Sequence, residues 1–376
     1  MNNSITQDIL LEVSMDDQVL DVISNGTRVR RFPISTGEKG MGFVEGSFRT
    51  PTGRFRISEK IGNDQPIGTI FVARVPCGVW DSAEISEDDL ILTRILRLEG
   101  MDAENANTMI RNIYIHGTNR EDRIGIPGSH GCLRLTNEDV IELFDLVPLG
   151  TELLIHPFTR RSGNLLFIDC DSTLSSIEGI DELARLSDPQ KFAEVEQLTN
   201  SAMNGEVPLD QVFKLRMEII RPDRRMADEV SQKYINTILP GVETFINRAK
   251  AMGWMPVILS GGFEPLIRPL AKRLGIKHVE AVPLFFNGSG EYAGYGEKYP
   301  TTRNLGKNEI IREWKAAMLP ERVMMIGDGV SDLETKEDVD VMIGFGGVAV
   351  REKVKKGADV WIETFENVDM MTSLLA

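Results

Sequence analysis

The sequence predicts two domains: a mostly-β domain over residues 1–156 and a doubly wound, Rossmann-like α/β domain over 165–376 with an inserted helical cap at about 181–237. Three observations carry this. Residues 9–34 alternate apolar and polar side chains, as a half-buried pair of strands does. Residues 165–168, 257–259 and 323–326 are instead short unbroken apolar runs bounded by Gly or Asp, the pattern of parallel strands covered on both faces. Residues 181–237 contain no such run and read as wholly helical, which places them as an insertion after the first strand of the second domain. A chain of 376 residues, at roughly 150 per domain, has room for this division.

In the first domain the alternation breaks at Asn25-Gly26, a strong hairpin-turn pair. Strand-like pieces follow at 55–57, 70–75 and 113–115, punctuated by Pro and Gly. One helix is clear. Thr136 with Asp139 forms a capping pattern ahead of Val140, Ile141, Leu143 and Phe144, and Pro148 stops it. Residues 153–155 read as a closing strand. The periodicity then lapses over 157–164, PFTRRSGN, which reads as a linker. In the second domain, 265–274 reads as a helix ended by Gly275.

Composition narrows the partners. The net charge is −15, which disfavours nucleic acid and anionic membrane surfaces. Three cysteines, Cys77, Cys132 and Cys170, are too few for a disulfide framework. The opening residues show no basic segment followed by an apolar one, and no run reaches the length of a membrane span. The expectation is a cytoplasmic protein.

Each apolar run of the second domain ends in chemistry. The first is followed by Asp169-Cys170-Asp171-Ser172-Thr173, the second by Ser260-Gly261-Gly262, and the third by Gly327-Asp328-Gly329 with Asp332 one turn on. Lys307 lies between the last two. Ligands of open parallel sheets bind at the carboxyl ends of the strands. Phosphoryl transfer needs a nucleophile, a general acid, a hard cation and donors for the equatorial oxygens. Asp169 can attack as a carboxylate, and Asp171 can protonate the leaving oxygen. Asp169, Asp171 and Asp328, with one backbone carbonyl and waters, form the expected Mg2+ site. Ser260, the Gly261 amide and Lys307 can hold the phosphate oxygens. Any one of these motifs alone could be a turn former; their order on separate strand ends is what points to a site.

These residues resemble the haloacid dehalogenase superfamily. DCDSTLSSIEGIDELARL, SAMNGEVPLDQVFKLRMEII, ILSGGFEPLIRPLA, FFNGSGEYAGY and MIGDGVSDLETKEDVDVMIGFGG are similar to the phosphoserine phosphatases across nearly all of 165–376. The resemblance implies Asp169 as nucleophile, Asp171 as acid and base, Ser260, Gly261 and Lys307 as phosphate binders, Asp328 as metal ligand and Asp332 as a supporting carboxylate. It implies that Glu178 meets the ammonium of phosphoserine and Arg216 its carboxylate, which suits a substrate carrying both charges. Read without it, Glu178 is a helix N-terminal acid and Arg216 a solvated helix residue. Another small phosphomonoester is the alternative substrate.

The first domain holds IYIHGTNREDRIGIPGSHGCLRL, with His116 and His130 beside Cys132. A thiolate is a strong nucleophile and a nearby imidazole can deprotonate it. Amides of the turn Ser129-His130-Gly131-Cys132 could cradle an oxyanion. Two His and one Cys are too few for structural zinc, and a buried inert Cys is the plain alternative. The pattern resembles the L,D-transpeptidase catalytic domain (YkuD), as does the upstream FRTPTGRFRI. The resemblance implies Cys132 as nucleophile, His116 as general base, His130 and Gly131 in the oxyanion and substrate turn, and Arg134 near the substrate carboxyl, with a peptidoglycan stem peptide as substrate and no metal. The three readings of this half are a cytoplasmic L,D-carboxypeptidase or transpeptidase, a non-catalytic module that binds a peptide or amino acid and tunes the phosphatase, and an exported enzyme.

Overall fold

The structure, a computed structural model, describes residues 9–81, 88–161, 163–187, 192–195, 197–198 and 209–376. The chain divides into two compact units: an N-terminal one of residues 1–161 that also takes in 314–319, and a C-terminal one of residues 162–313 and 320–376.

The N-terminal unit is built on a sheet of ten strands among the described residues. They are β1 (Ile9–Ser14), β2 (Val19–Ser24), β3 (Thr27–Pro33), β4 (Gly53–Ile61), β5 (Thr69–Val72), β6 (Val75–Val79), β7 (Leu92–Gly100), β8 (Tyr114–Gly117), β9 (Leu133–Leu135) and β10 (Glu152–His156). Their order is β3-β2-β1-β10-β4-β7-β5-β6, with β8 pairing both β7 and β9. Alternation works as the pattern requires: Leu11 and Val13, Leu20 and Val22, Phe55 and Ile57, and Leu153 and Ile155 all point into one core. Asn25 and Gly26 both take positive φ, 49° and 74°, the requirement of a two-residue hairpin between β2 and β3. Helix α1 (Asn137–Leu146) is capped by Thr136, whose side chain accepts from the Asp139 amide at 3.1 Å. It packs Val140, Leu143 and Phe144 on β7 and β8.

Two expectations change. The single strand expected at 70–75 is a hairpin: Ala73 and Arg74 take φ of 49° and 69°, and the chain reverses between β5 and β6. Neither residue favours the left-handed region, so the sequence gives no turn signal there. The stretch expected as a linker is partly anchored. Phe158 packs on the N-terminal core, and Asp16 accepts from the amides of Thr159 and Arg160.

The C-terminal unit has a six-stranded, all-parallel sheet: β11 (Asn164–Ile168), β12 (Trp254–Phe263), β13 (His278–Val282), β16 (Arg322–Gly327), β17 (Val341–Phe345) and β18 (Val360–Ile362). The order is β13-β12-β11-β16-β17-β18, so the strand order reverses at β11. Every residue from Leu165 to Ile168 is buried, as a strand covered on both faces must be. The crevice at the carboxyl end of β11 is where such sheets bind ligands. Three described helices follow β11: α2 (Gly179–Ser187), α3 (Leu209–Ile220) and α4 (Arg224–Asn236). Residues 201–208, which open the second motif quoted above, lie outside the described residues. A small hairpin, β14 (Leu284–Phe286) with β15 (Tyr292–Tyr295), was not expected from the sequence. Among the described residues no helix is long and apolar enough to cross a membrane.

Thr136→Ala is expected to lower stability by about 1 kcal/mol through loss of the α1 cap, read as a lower midpoint in thermal unfolding.

Candidate active sites

The site of the C-terminal unit is assembled from strand ends. Asp169 follows β11 directly, and its amide donates to the Ile326 carbonyl of neighbouring β16 at 2.9 Å. Asp328 follows β16, and Asp332 stands on the short helix that starts at Val330. Lys307 lies on α5 (Gly306–Met318). Its ammonium donates to Asp169 Oδ1 at 2.8 Å and to Asp332 Oδ1 at 2.5 Å. Oxygens of Asp169, Asp328 and Asp332 lie within 4.8 Å of one another, and all three residues are buried. Asp332 also accepts from the Gly329 amide at 2.9 Å. Only glycine fits at 327, because an added Cβ would stand 2.2 Å from Asp332 Cγ.

Electrostatics here follow from burial. Loss of solvation holds Asp169 well above the ordinary carboxylate range; Lys307 opposes this, and Asp332 and Asp328 add to it. Burial and Asp332 push Asp328 up to about 6, against the guanidinium of Arg351, whose Nε donates to it at 3.1 Å. Burial alone would lower Lys307, but Asp169 and Asp332 outweigh it and the net shift is upward. Three hard oxygen donors crowded together with excess negative charge suit Mg2+. Asp171, expected in the metal set, is not in this cluster by its side chain; Asp332 is.

Asp171 faces the helices instead. Tyr234, on α4, donates its hydroxyl to Asp171 Oδ1, and the Gly179 amide donates as well. Gly179 leaves the room for this, since an added Cβ would lie 2.0 Å from the Tyr234 hydroxyl oxygen. Burial and the charge of Asp169 push Asp171 up to about 7 despite these donors. Ser260 is fully buried, and its Oγ accepts from the Gly262 amide at 2.9 Å. A Cβ added at Gly262 would be 3.2 Å from both Asp171 Oδ2 and Ser260 Oγ, so the two strand ends meet there. At Gly261 the nearest atom to an added Cβ is 3.7 Å away, so side-chain space does not demand glycine.

Glu178 immediately precedes α2 and accepts from Ser172 Oγ at 2.7 Å. Burial, with Asp171 and Asp328 adding, pushes it up to about 8, which is not the behaviour of a solvated helix-terminal acid. Arg216, on α3, is buried rather than solvated. Burial lowers its pKa, while Asp181, Glu178 and Asp171 raise it, so its charge is felt at the same site. Tyr234 and Arg351 were not foreseen. Neither belongs to a local pattern, and only the fold brings them to the aspartates.

In the N-terminal unit, Cys132 precedes β9 and receives the Tyr114 amide on Sγ at 3.4 Å. His116 lies on β8, where its Nδ1 is 2.7 Å from the Gly117 carbonyl. A carbonyl can only accept, so Nδ1 carries the proton and Nε2 is left as the basic nitrogen. A cavity of about 240 Å³ is lined by Cys132, His116, His130, Asp89, Arg111 and Phe48, among others. The Phe48 and His130 rings lie 5.2 Å apart. Burial pushes the Cys132 thiol up to about 12 and holds His116 below its ordinary value, so both rest neutral. Gly131 has φ of 112°, and an added Cβ would meet the Arg49 carbonyl oxygen at 2.9 Å. Its amide donates to Ser129 Oγ at 3.1 Å. Arg134 does not line the cavity. It is buried, donating to Asp89 at 2.8 Å and to Ser35 at 2.9 Å. Arg111, which the sequence did not single out, does line it.

Comparison with known proteins divides the chain in the same way. Residues 8–155 match the L,D-transpeptidase catalytic domain family (YkuD), and residues 164–339 match the haloacid dehalogenase-like hydrolases. The chain is 36% identical over 211 residues to a phosphoserine phosphatase of Drosophila melanogaster, covering 55% of this chain and 77% of the relative. It is 34% identical over 237 residues to the chloroplastic phosphoserine phosphatase of Arabidopsis thaliana, covering 61% and 80%. The crystal structure of a phosphoserine phosphohydrolase-like protein from Francisella tularensis superposes with a TM-score of 0.51 at 26% identity, covering 57% of this chain and all of that one.

The Tyr234 hydroxyl bonds the charged form of Asp171 and so holds its pKa down. Tyr234→Phe is expected to move the Asp171 pKa further above about 7. Titration of the 13C-labelled carboxyl by NMR checks the direction.

Proposed function

The chain belongs, through its C-terminal half, to the haloacid dehalogenase-like hydrolases related to phosphoserine phosphatase, and from that premise we propose that it hydrolyses O-phospho-L-serine through an aspartyl-phosphate on Asp169. The observation that carries the chemistry is the buried trio Asp169, Asp328 and Asp332 around Lys307. An Asp169 carboxylate oxygen attacks phosphorus and the bond to the serine oxygen breaks. Asp171, neutral below about pH 7, gives its proton to that leaving oxygen. The resulting Asp171 carboxylate then takes a proton from water, whose oxygen attacks phosphorus and frees Asp169 and phosphate. Lys307, Ser260 and the Gly261 amide hold the transferring oxygens. Asp169 and Asp328, with an oxygen of Asp171 or Asp332, would hold Mg2+, which supplies positive charge to offset the carboxylate and phosphate together.

Substrate choice rests on Glu178 and Arg216. Both feel the charge of Asp171, and they offer one acid and one planar cation. That pair complements the ammonium and carboxylate of phosphoserine.

For the N-terminal half the reading is acyl transfer at an L-to-D peptide bond of a peptidoglycan stem peptide. The observation in its favour is that Cys132, His116 and His130 line one cavity, with His116 Nε2 left basic. Sγ attacks the carbonyl carbon as its proton passes to His116, which then protonates the leaving amine. A second amine or water resolves the thioester. The alternative, a peptide-binding module without catalysis, predicts that Cys132 is dispensable.

Phosphate release from L-phosphoserine with Mg2+, against a panel of other phosphomonoesters, tests the first reading. Asp169→Asn is expected to reduce turnover by a factor on the order of 10⁴ or more. Arg216→Ala is expected to cost about 10²-fold in kcat/KM for phosphoserine and to spare an aryl phosphate. Equal loss on both substrates would remove Arg216 from the specificity role. For the second reading, Cys132→Ala should abolish release of the terminal D-residue from a stem tetrapeptide and leave phosphate release intact. No cleavage by the unaltered protein, with the peptide bound equally well by it and by Cys132→Ala, would instead favour the binding module.

A further inference from the structure

We propose that Arg111 is the specificity-determining cation of the Cys132 cavity, binding a carboxylate of the peptide that Cys132 attacks. This rests on the acyl-transfer reading of that cavity.

A carboxylate-bearing substrate needs a cation that faces it. Arg134, the arginine nearest Cys132 in sequence, is unsuited to that task. Its guanidinium is spent on Asp89 and Ser35, and its side chain is 2% exposed. The pairing also neutralises Asp89, the acidic residue that lines the cavity. Arg111 is placed differently. It lines the cavity with Cys132, His116 and His130. Its hydrogen bonds go to the carbonyls of Gly42 at 2.8 Å and Arg49 at 2.6 Å, and more weakly to Ser47 Oγ at 3.5 Å.

All three of those partners are neutral. They fix the plane of the guanidinium without cancelling its charge, and a guanidinium has five N–H donors, more than these bonds use. The acidic groups that act on it are Cys132, when ionised, and the exposed Glu45. With Cys132 and His116 resting neutral and Asp89 paired, Arg111 leaves the cavity wall with uncompensated positive charge beside the thiol. A half-buried, pre-oriented guanidinium is the group best matched to a carboxylate.

A purely structural Arg111 would staple the 42–49 loop and nothing more. The two roles separate by charge discrimination at the thiol. In the full-length protein, Cys132 is alkylated with iodoacetate, an anion, and with iodoacetamide, its neutral counterpart. Mass spectrometry of the Cys132 peptide follows the reaction, because Cys77 is exposed and will also react. The expected result is that Arg111→Gln lowers the iodoacetate-to-iodoacetamide rate ratio by about fivefold or more, that Arg111→Lys restores most of it, and that high salt narrows the wild-type preference. The neutral reagent in each variant controls for any disturbance of the loop. An unchanged ratio in Arg111→Gln overturns the proposal, as does failure of both reagents to label Cys132, which would mean thiol and guanidinium share no accessible cavity. Cys132-dependent peptide cleavage is read separately, so acyl transfer can stand where the role of Arg111 falls.

Discussion

A single buried ammonium is the constraint around which the C-terminal unit is arranged. Lys307 is shared by Asp169 and Asp332, and the side chains of all three are at most 10% exposed. Charges taken out of water at such depth cost several kcal/mol each, which only mutual pairing and added hydrogen bonds offset. The pairing joins elements far apart in sequence: the end of β11, the start of α5 and the turn after β16. Gly327 gives way so that the Asp332 carboxylate can reach in, and the Gly329 amide satisfies its second oxygen. Asp328 completes the cluster and draws Arg351 to it. Even so, burial, together with carboxylates that outnumber the cations, pushes Asp169 and Asp328 upward, and a hard cation suits the site.

The cysteine cavity is organised on the opposite principle. Its acidic lining residue, Asp89, is paired with Arg134, its reactive pair rests neutral, and among the described residues the charge left on the wall is the guanidinium of Arg111. A thiol pushed up to about 12 is a poor free nucleophile. On the proposed reading its proton must therefore leave as the carbonyl is attacked, and His116 is prepared to take it. The Gly117 carbonyl fixes which nitrogen does so. Where the aspartate site concentrates negative charge, this one keeps its reactive pair neutral beside a cation.

Much of this was legible from the sequence, and what was not has definite causes. Alternation revealed β1 to β3, and unbroken apolar runs revealed the strand ends that carry Asp169, Ser260 and Asp328. Strand β7 was hidden because it breaks alternation. Thr93 and Arg94 are buried polar residues within it; Thr93 bonds Asn137, and Arg94 Nη1 donates to the carbonyls of Gln65 and Thr93. Nothing local announces such partners. The β5–β6 turn was hidden for a related reason, since Ala73 and Arg74 are held in left-handed backbone by the surrounding sheet rather than by their own preference. Glu178 and Arg216 had plain readings as a helix N-terminal acid and a solvated helix residue; the burial of Arg216 and the half-buried setting of Glu178 among other carboxylates, which pairwise motifs do not encode, tell against these. Tyr234 and Arg351 reach the site only through tertiary packing.

The division of labour within the C-terminal unit follows from where rigidity lies. Asp169 and Asp328 directly follow, and Ser260 lies toward the carboxyl end of, parallel strands flanked by neighbours on both sides, so their positions are fixed by the sheet. Phosphoryl transfer asks for this, because catalysis there is mostly positioning of charge. Arg216 and Tyr234 come instead from helices inserted after the first strand, and Asp171 is where the two sets meet. That carboxyl is bonded by a helical tyrosine and raised by a strand-end aspartate. Its proton affinity therefore depends on how closely the helices are seated. On the proposed function, an acid tuned in this way is a stronger donor when the helices that carry Tyr234 and Arg216 are in place, which would couple substrate recognition to proton delivery through one side chain.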